Sequence, residues 1–254
     1  MLSIDLSGKL AVVTGASGEL GRVIARTLAE AGADVAVHYR GALEKAEATA
    51  ETVRAAGRRT MIVQADITDQ DSVFAMRDAI GAELGSPDII VNNAVIQYKW
   101  VSVLEQALED YDGQYKSCVI QGVLMAKAFV PAMVDQKWGR VIATNTECAM
   151  QTFAGQSAYV SGKRGMDGVY RVLAKEVGEH EITVNQVAPG YMISDRARAS
   201  GNERVESYEK NVPMKRRGED KDIANAVAFL ASDLANFITG VYLPVCGGNV
   251  MPRI

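Results

Sequence analysis

Apolar residues recur along this chain in two alternating patterns. Short runs rich in β-branched residues, such as KLAVVTG at 9–15 and DVAVHY at 34–39, predict buried strands. Longer stretches with apolar residues every three or four positions, such as ELGRVIARTLAEAG at 19–32, predict amphipathic helices. Because strands and helices alternate throughout, the pattern predicts an α/β fold with a doubly wound parallel sheet between two helical layers, a three-layer αβα arrangement.

The same periodicities assign the rest of the chain. Further strands are predicted at 60–66, 87–94, 139–145, 182–190 and 238–248, and further helices at 43–57, about 69–84, about 103–135, about 157–178 and 220–233. The one long irregular stretch, 191–217, is a candidate substrate lid, and within it 194–211 looks mobile and partly helical. A length of 254 residues suits one core, so we expect a single domain over 1–254.

Composition narrows the class of partner. The chain is 48% hydrophobic and 23% charged with a net charge of −4, which gives no reason to expect nucleic acid or an anionic membrane as partner. Apolar runs such as DIIVNNAV are too short to span a bilayer, and the first residues lack a signal-peptide pattern, so we expect a cytoplasmic location. Cys118, Cys148, Cys246, His38 and His180 are far apart in sequence, which predicts neither a disulfide framework nor a metal site.

Three glycines mark the turn between the first predicted strand and helix. TGASGELG at 14–21 places Gly15, Gly18 and Gly21 in a G-x-x-G-x-x-G pattern. Glycine permits a tight turn and lets backbone N–H groups approach a pyrophosphate, and the helix start adds partial positive charge. The turn therefore predicts a dinucleotide phosphate site; the alternative is a tight strand–helix turn without a ligand.

The end of the second predicted strand indicates which dinucleotide is bound. An acidic residue there would bond both ribose hydroxyls and favour NAD, but VHYRG offers Tyr39 and Arg40 and no acid. A guanidinium suits a 2′-phosphate, so we expect NADP(H) rather than NAD. The alternative interpretation of Arg40 is a solvated loop charge.

Tyr159 and Lys163 are four residues apart in YVSGK, so they share one face of the predicted helix. A free tyrosine titrates near about 10, and a neighbouring ammonium stabilises the phenolate and lowers that pKa. Such a tyrosine gives a proton to a carbonyl oxygen or takes one from an alcohol. Taken alone, the pair is also typical of an exposed helix surface.

Five motifs together resemble the short-chain dehydrogenase/reductase family. They are TGASGELG, NNA at 92–94, Thr146, YVSGK and NQVAPG at 185–190, in the family's order and at about its spacings. The resemblance covers essentially the whole chain. It implies a Rossmann-like fold and hydride transfer between a nicotinamide cofactor and a carbonyl or secondary alcohol.

The resemblance also implies roles for individual residues. Tyr159 matches the family's acid/base, Lys163 matches the residue that lowers its pKa and holds the nicotinamide ribose, and Thr146 takes the place of the usual substrate-orienting Ser. Asn92 matches the central-strand asparagine. Cofactor contacts are implied for Gly15, Ser17, Gly18, Leu20, Gly21, Tyr39, Arg40, Asp66 at the adenine, Ile67, Asn93, Ala94, Tyr159, Lys163, Pro189 and Gly190 beside the nicotinamide, Met192, and Ser194 at the carboxamide.

Three positions depart from the family pattern. Glu19 stands where the usual glycine motif has its middle Gly, and its carboxylate would repel a pyrophosphate, although a helix N-terminus tolerates an acid. Val95 replaces the Gly of NNAG and narrows the space near the cofactor. The asparagine of the long helix is replaced by Cys118 or Val119, depending on the alignment; because the family's proton relay uses the main-chain carbonyl there, we expect the relay to survive, with a changed helix bend.

The loops after strands four and five predict the character of the substrate. By the resemblance, Gln97, Glu147, Gln151 and Tyr191 line the substrate pocket, and a carboxylate with two amides suits a polar or hydroxyl-rich molecule; the alternative is a solvated loop face. Basic residues of the candidate lid lie among several acids, which favours an exposed helix over an anion site; they are Arg196, Arg198, Arg204, Lys215, Arg216 and Arg217.

These observations predict an enzyme that transfers hydride between NADP(H) and a small, polar carbonyl or secondary alcohol. Two alternatives stay open: an epimerase or dehydratase that retains its cofactor, suggested by the glycine spacing, and a non-catalytic dinucleotide sensor or scaffold, suggested by the missing asparagine. The family resemblance implies a homotetramer or homodimer, and the apolar tail GVYLPVCGGNVM is compatible with a buried contact.

Overall fold

Seven parallel strands form one sheet in the computed structural model, which describes residues 3–252. The strands are β1 (Leu10–Val13), β2 (Asp34–Tyr39), β3 (Thr60–Gln64), β4 (Ile89–Asn92), β5 (Gly139–Thr144), β6 (Ile182–Pro189) and β7 (Tyr242–Val245). Their order is β3-β2-β1-β4-β5-β6-β7, and every neighbouring pair is parallel. The direction of strand addition reverses between β1 and β4, and ligands of such sheets bind at that point, beyond the carboxyl ends of the strands.

Helices cover both faces of the sheet. They are α1 (Glu19–Glu30), α2 (Leu43–Ala55), α3 (Gln70–Glu83), α4 (Leu108–Tyr115), α5 (Gln121–Gln136), α6 (Cys148–Gln151), α7 (Ser157–Val177), α8 (Asp195–Ser200), α9 (Glu206–Glu209) and α10 (Asp220–Ala231). One core cluster joins the sheet to α1, α2 and α10, and the other joins it to α3, α5 and α7. The predicted three-layer, doubly wound fold is thereby confirmed.

The central strands are shorter than the apolar runs that predicted them. β1 ends at Val13 and β4 at Asn92, because the chain then leaves the sheet to form the loops at its carboxyl edge. All residues of both strands are buried, which explains why their sequences are continuously apolar rather than alternating. The last strand is also shorter than expected, 242–245 instead of 238–248.

The long predicted helix is interrupted by a change of pitch. It begins at Leu108, not near 103, and a π-helical turn at Lys116–Ile120 joins α4 to α5. The continuous helix Leu108–Gln136 is long and apolar enough to cross a bilayer. The sequence-based prediction considered only uninterrupted apolar runs and therefore did not include such a helix. It is 61% buried inside the protein over its most apolar window and packs against α3 and α7, as a core helix does.

The predicted lid contains α8 and α9, joined by loops. The sequence suggested that the basic residues of the lid lie on an exposed helix, but not all of them do. The guanidinium of Arg217 is buried, lies 4.0 Å from the ring centre of Tyr191 and donates to the carbonyls of Met192 and Glu203. Arg198 pairs with Asp220 of α10 at 3.0 Å, so the lid segment is joined to the core of the fold.

Candidate active site

A cleft of about 710 Å³ opens at the carboxyl edge of the sheet, between β1, β4 and β5. It is lined by residues from the glycine turn, from the ends of β2 and β4, from the segment after β5 and from α7. The cleft lies at the point where the strand order reverses, which is where this class of sheet binds its ligand.

The glycine turn is too tight for side chains at two of its glycines. Gly15 has φ +65°, a left-handed value that favours glycine, and a Cβ built on Gly21 would lie 2.2 Å from the Gly15 carbonyl oxygen. The turn runs directly into the N-terminus of α1, whose first N–H groups lack helical acceptors and can bind phosphate oxygens.

Thr14, next to this turn, connects it to the loop after β4. Its hydroxyl donates to Gln121 Oε1 at 2.9 Å and accepts from the backbone N–H groups of Asn93 and Ala94, at 2.9 and 3.1 Å. These bonds, of which the one to Gln121 is buried, connect two walls of the cleft. Val95, the departure from NNAG, lies on the same wall and lines the cleft.

His38, which the sequence interpretation did not assign to the site, also lines the cleft. Its Nδ1 accepts the backbone N–H of Gly15 at 3.0 Å, and its Nε2 lies 3.0 Å from the carbonyl oxygen of Ala65. Since Nδ1 accepts, the proton is on Nε2 and the ring is neutral. Burial lowers the pKa of His38. The sequence did contain a signal that could have identified His38: it is a histidine inside an apolar strand, one residue before the expected ribose contact.

Glu19 is directed at the lid. Its Oε2 accepts the backbone N–H of Asp195, the first residue of α8, at 3.2 Å. The Asp195 carboxylate in turn accepts from the guanidinium of Arg22 at 2.5 Å. The extra carboxylate of the glycine motif is therefore part of a contact between α1 and α8, although Glu19 also lines the cleft.

Arg40 and Asp66 lie at the outer end of the cleft. The Arg40 guanidinium is 3.5 Å from an Asp66 oxygen, and its side chain is 66% exposed, so the head group can reach a ligand. The Asp66 carboxylate accepts from the hydroxyl and backbone N–H of Thr68, and the hydroxyl bond is the main cause that lowers the pKa of Asp66. Tyr39 does not line the cleft, because its ring packs against the core.

At the inner end of the cleft, α7 brings Tyr159 and Lys163 next to Thr146. Lys163 is buried, and its Nζ donates to the Thr144 carbonyl at 2.6 Å and lies 5.9 Å from the ring centre of Tyr159. Thr146 follows β5 and lines the cleft beside Tyr159, and its side chain acts to lower the pKa of the Tyr159 hydroxyl. Asn145 fixes this region by donating to the Lys163 carbonyl at 3.2 Å.

The protonation equilibria of this pair differ from the sequence-based expectation. Burial raises the pKa of Tyr159, and the Thr146 hydroxyl opposes that rise. Burial also lowers the pKa of Lys163, whose ammonium is engaged by the Thr144 carbonyl. Burial is therefore the largest influence on the Tyr159 pKa, and it acts against the lowering expected from the ammonium.

The loop after β4 covers the tyrosine. The indole of Trp100 stacks on the Tyr159 ring, with 5.8 Å between centroids and 28° between planes. The Tyr98 hydroxyl accepts the backbone N–H of Tyr159 at the start of α7, and burial raises the pKa of Tyr98 to about 12. Cys118 and Val119, the two candidates for the missing asparagine, are buried within the π-helical turn, so a changed helix geometry accompanies the departure.

Most of the predicted contacts lie in one cleft. Those that line it are Gly15, Ser17, Gly18, Leu20, Gly21, Arg40, Asp66, Ile67, Asn93, Ala94, Gln97, Thr146, Tyr159, Lys163, Pro189 and Gly190. Among residues 3–252, no group of three or more His, Cys, Asp or Glu side chains is arranged to hold a metal ion.

Besides Tyr39, five predicted residues lie outside the cleft. Ser194 accepts the N–H of Ala197 as the N-cap of α8, and Met192 packs against the core. Glu147 is buried and accepts from the Tyr208 hydroxyl at 2.8 Å and from Asn249 Nδ2 at 3.0 Å, so it does not face a substrate. Gln151 and Tyr191 line a separate neighbouring groove. Sequence position alone could not reveal these contacts, because they depend on how the lid folds.

This fold and site define a dinucleotide-binding oxidoreductase, and comparisons identify its family. Residues 15–249 match the family model described as enoyl-(acyl carrier protein) reductase. The chain is 39% identical over 253 residues to the 3-oxoacyl-[acyl-carrier-protein] reductase FabG of Staphylococcus aureus, covering 96% of this chain and 98% of that protein.

Similarity to solved structures points to the same family. A blue fluorescent protein from a metagenomic library, in complex with NADPH, is 34% identical with a TM-score of 0.89, covering 97% of this chain and all of that one. A 7α-hydroxysteroid dehydrogenase complexed with NADH and 7-oxo glycochenodeoxycholic acid is 29% identical with a TM-score of 0.89, covering 98% of both chains. The chain belongs to the short-chain dehydrogenase/reductase family. It is an NAD(P)-dependent oxidoreductase, and the non-catalytic alternative is set aside.

Proposed function

We propose that this protein is an NADP(H)-dependent oxidoreductase that interconverts a small, polar carbonyl compound and its secondary alcohol. The observation that carries the proposal is the meeting of Tyr159, Lys163 and Thr146 at the inner end of a cleft whose outer end is a glycine turn. One end of the cleft holds groups that can transfer a proton, and the other end holds a candidate phosphate site. This arrangement suits a reaction that needs both a dinucleotide and a proton.

Each side chain of the inner end has a defined task in this proposal. When bound, the nicotinamide supplies a hydride to the carbonyl carbon and is oxidised. Tyr159 donates its hydroxyl proton to the carbonyl oxygen, on which negative charge develops, and Thr146 orients that oxygen by a hydrogen bond. The ammonium of Lys163 stabilises the tyrosinate that remains. In the oxidation direction the same groups act in reverse.

Arg40 supports NADP(H) as the preferred cofactor. It follows β2 at the adenosine end, its side chain is mostly exposed, and no acidic residue occupies the position of a ribose-binding carboxylate. A guanidinium binds a phosphate with charge-assisted hydrogen bonds. Similar solved structures include one complex with NADPH and one with NADH. Family membership therefore does not decide between the two cofactors, and the assignment of NADP(H) rests on Arg40.

A 3-oxoacyl thioester is a second candidate substrate, favoured by the names of the bacterial relatives. The two candidates separate in a direct comparison of kcat/KM for a polar ketone and for a 3-oxoacyl thioester. An epimerase or dehydratase that retains its cofactor would convert substrate without net NADPH consumption, and the same assay identifies it.

Segment 191–217 acts as the substrate lid in this proposal, and the protein works in the cytoplasm as a homotetramer or homodimer. Support for a larger assembly comes from fully or mostly exposed apolar side chains at Leu104, Leu108 and Phe237, near α4 and before β7. Light scattering coupled to size-exclusion chromatography measures the state; a monomer at working concentration contradicts it.

The decisive experiment replaces Tyr159 by Phe. We expect kcat to fall by about 1,000-fold or more, within the range that a positioned proton donor contributes, because the hydroxyl proton is lost. The dissociation constant for NADPH, measured by nucleotide fluorescence, should stay within about twofold of the wild-type value, because the phosphate turn is unchanged. Retention of most of the activity would disprove the assigned proton donor.

A further inference from the structure

The start of α7 lacks a cap from its own sequence. The helix begins at Ser157, and its first helical hydrogen bond runs from the Val160 N–H to the Gln156 carbonyl at 2.8 Å. The N–H groups of the three residues before Val160, the last of which is Tyr159, therefore have no acceptor within the helix. Gln156 holds the N-cap position, but its side chain makes no capping bond. The Tyr159 N–H thus needs an acceptor from elsewhere in the fold.

The loop after β4 supplies this acceptor. The hydroxyl oxygen of Tyr98 accepts the Tyr159 N–H, at the helix position that an N-cap side chain ordinarily bonds. Burial raises the pKa of Tyr98 to about 12, so the hydroxyl is uncharged at neutral pH. From the same loop, the Trp100 indole stacks on the Tyr159 ring with 5.8 Å between centroids. One loop therefore contacts both the backbone and the ring of the proposed proton donor.

The loop is itself held on both sides of Tyr98. Before it, the Ile96 carbonyl accepts from Gln114 Nε2 at 2.5 Å. After it, the Lys99 carbonyl accepts from Gln106 Nε2 at 3.2 Å. Both glutamines are buried, so a broken bond would leave an unsatisfied amide inside the protein. These bonds fix the part of the loop that carries the Tyr98 hydroxyl.

Tyr98 can act on the reaction only through Tyr159. Its side chain is not among those that line the cofactor cleft, whereas that of Tyr159 is. Loss of the Tyr98 hydroxyl would therefore leave the cofactor contacts in place and release the backbone that carries the proton donor. A displacement of about 1 Å at a reacting group can cost about 100-fold in rate, so this one bond is sufficient to affect turnover.

We propose that Tyr98 is a positioning residue for proton transfer: its hydroxyl caps the first turn of α7 and thereby holds the Tyr159 hydroxyl in place for the reacting carbonyl. This inference rests on the proposed function, because only a proton donor has to be held in register with a substrate. A cap that served stability alone would change the amount of folded protein and leave the turnover of each folded molecule unaltered.

Tyr98→Phe tests this role, because it removes the hydroxyl and keeps the ring. With hydroxyacetone as a small polar ketone, we expect kcat to fall about tenfold, the upper range for one hydrogen bond. The KM values for NADPH and for the ketone should stay within about twofold of wild type. The matched control is Tyr111→Phe, because the Tyr111 hydroxyl bonds Ser157 Oγ at 2.6 Å, at the same helix start, without contacting the Tyr159 N–H. The control should keep the wild-type kcat.

Two further measurements separate positioning from a loss of folded protein. Calorimetric titration with NADPH counts the binding sites, and Tyr98→Phe should keep the wild-type number. Hydrogen exchange of the peptide 156–162, followed by mass spectrometry, should show one amide that exchanges about tenfold faster in Tyr98→Phe, and wild-type exchange in Tyr111→Phe. Unchanged exchange in Tyr98→Phe, or a loss of binding sites that matches the loss of kcat, overturns the inference.

The same variants separate the inference from the function on which it rests. A wild-type kcat in Tyr98→Phe beside an inactive Tyr159→Phe overturns the inference alone. A loss in Tyr98→Phe as large as in Tyr159→Phe, about 1,000-fold, would make Tyr98 a proton donor itself and also overturns the positioning role. A Tyr159→Phe variant that keeps most of its activity overturns the proposed mechanism and the inference together, because no donor would then be left to position.

Discussion

His38 and Thr14 hold the backbone of the two loops that shape the cofactor cleft. His38 accepts the N–H of Gly15, and Thr14 accepts the N–H groups of Asn93 and Ala94. Neither side chain needs to touch a ligand to matter, because a displaced glycine turn would misplace the N–H groups that bind phosphate. The site therefore depends on residues that position its backbone as well as on residues that contact the ligand.

The His38 contact predicts a pH dependence. Burial lowers the pKa of His38, so the folded state binds a proton less readily than the unfolded state. The stability that the neutral ring contributes is complete above about pH 6.5, the ordinary histidine value, and is lost as pH falls through the lower folded-state pKa. NADPH affinity should fall in the same window, because an imidazolium cannot accept from Gly15.

His38→Asn tests this dependence, because an amide oxygen can accept from Gly15 but does not titrate. Asp66, whose charge opposes the lowering of the His38 pKa, is unchanged in the variant. NADH, which lacks the titrating 2′-phosphate, is measured beside NADPH by fluorescence from pH 5 to 8. A wild-type acid loss identical to that of the variant would show that His38 is not the responsible group.

At the scale of elements, α5 and α7 approach closely at one glycine. A Cβ on Gly122 would lie 2.8 Å from the Tyr170 ring, whose hydroxyl accepts from Asn92 Nδ2 at 2.5 Å at the end of β4. The glycine therefore permits a contact that connects the two helices to the central sheet.

Gly122→Ala should lower the free energy of unfolding by about 1–3 kcal/mol, because the added methyl group overpacks a filled site. The matched control is Gly168→Ala in α7, where a Cβ would meet no atom within 4 Å. That change should raise stability by about 0.5–1 kcal/mol through helix propensity. Urea titrations of both variants measure the difference, and equal stabilities would contradict the packing argument.

Glu147 connects three segments that are distant in sequence. Its carboxylate follows β5, accepts from Tyr208 of the lid and accepts from Asn249 of the C-terminal segment. Glu147→Ala leaves two donors unpaired, so trypsin should cleave within the lid about tenfold faster, since about 1.4 kcal/mol corresponds to a factor of ten. Glu206→Ala, an exposed glutamate of α9, is the control and should cleave at the wild-type rate. Equal cleavage of the two variants would show that Glu147 does not anchor the lid.

Periodicity predicted the strands and large helices because each buries one continuous apolar face, and burial leaves a sequence signal. The π-helical turn at Lys116–Ile120 and the single-turn helix α6 leave none, because they contain no full period of their own. In the site, residues of the glycine turn and of α7 were predictable from local spacing. Met192 and Ser194 depend on lid packing, and His38 depends on the register between β2 and the turn, so local spacing could not assign them.

For the whole molecule, cofactor binding should appear as thermal stability. Saturation at about 100 times the dissociation constant adds about 2.7 kcal/mol to the folded state, or roughly 5–10 °C in Tm for a chain of this size. We expect a larger shift with NADPH than with NADH at equal concentration, and Arg40→Ala should make the two shifts similar by removing the phosphate contact. Scanning fluorimetry with both nucleotides measures these shifts. A larger Tm shift with NADPH than with NADH in Arg40→Ala would show that another residue binds the 2′-phosphate.

The pairing of β1 with β4 has a consequence for how the chain reaches this fold. Ala11 pairs with Ile89, so the central strand pair joins segments separated by most of the first third of the sequence. Closing so long a loop costs entropy before the contact returns any stabilisation, and parallel sheets built of such crossovers fold slowly. During synthesis, β1, β2 and β3 can assemble while the apolar edge of β1 stays unpaired until residue 91 emerges from the ribosome. That edge is the part of the nascent chain most exposed to aggregation, and a chaperone that delays collapse should raise the yield of native protein most at this stage.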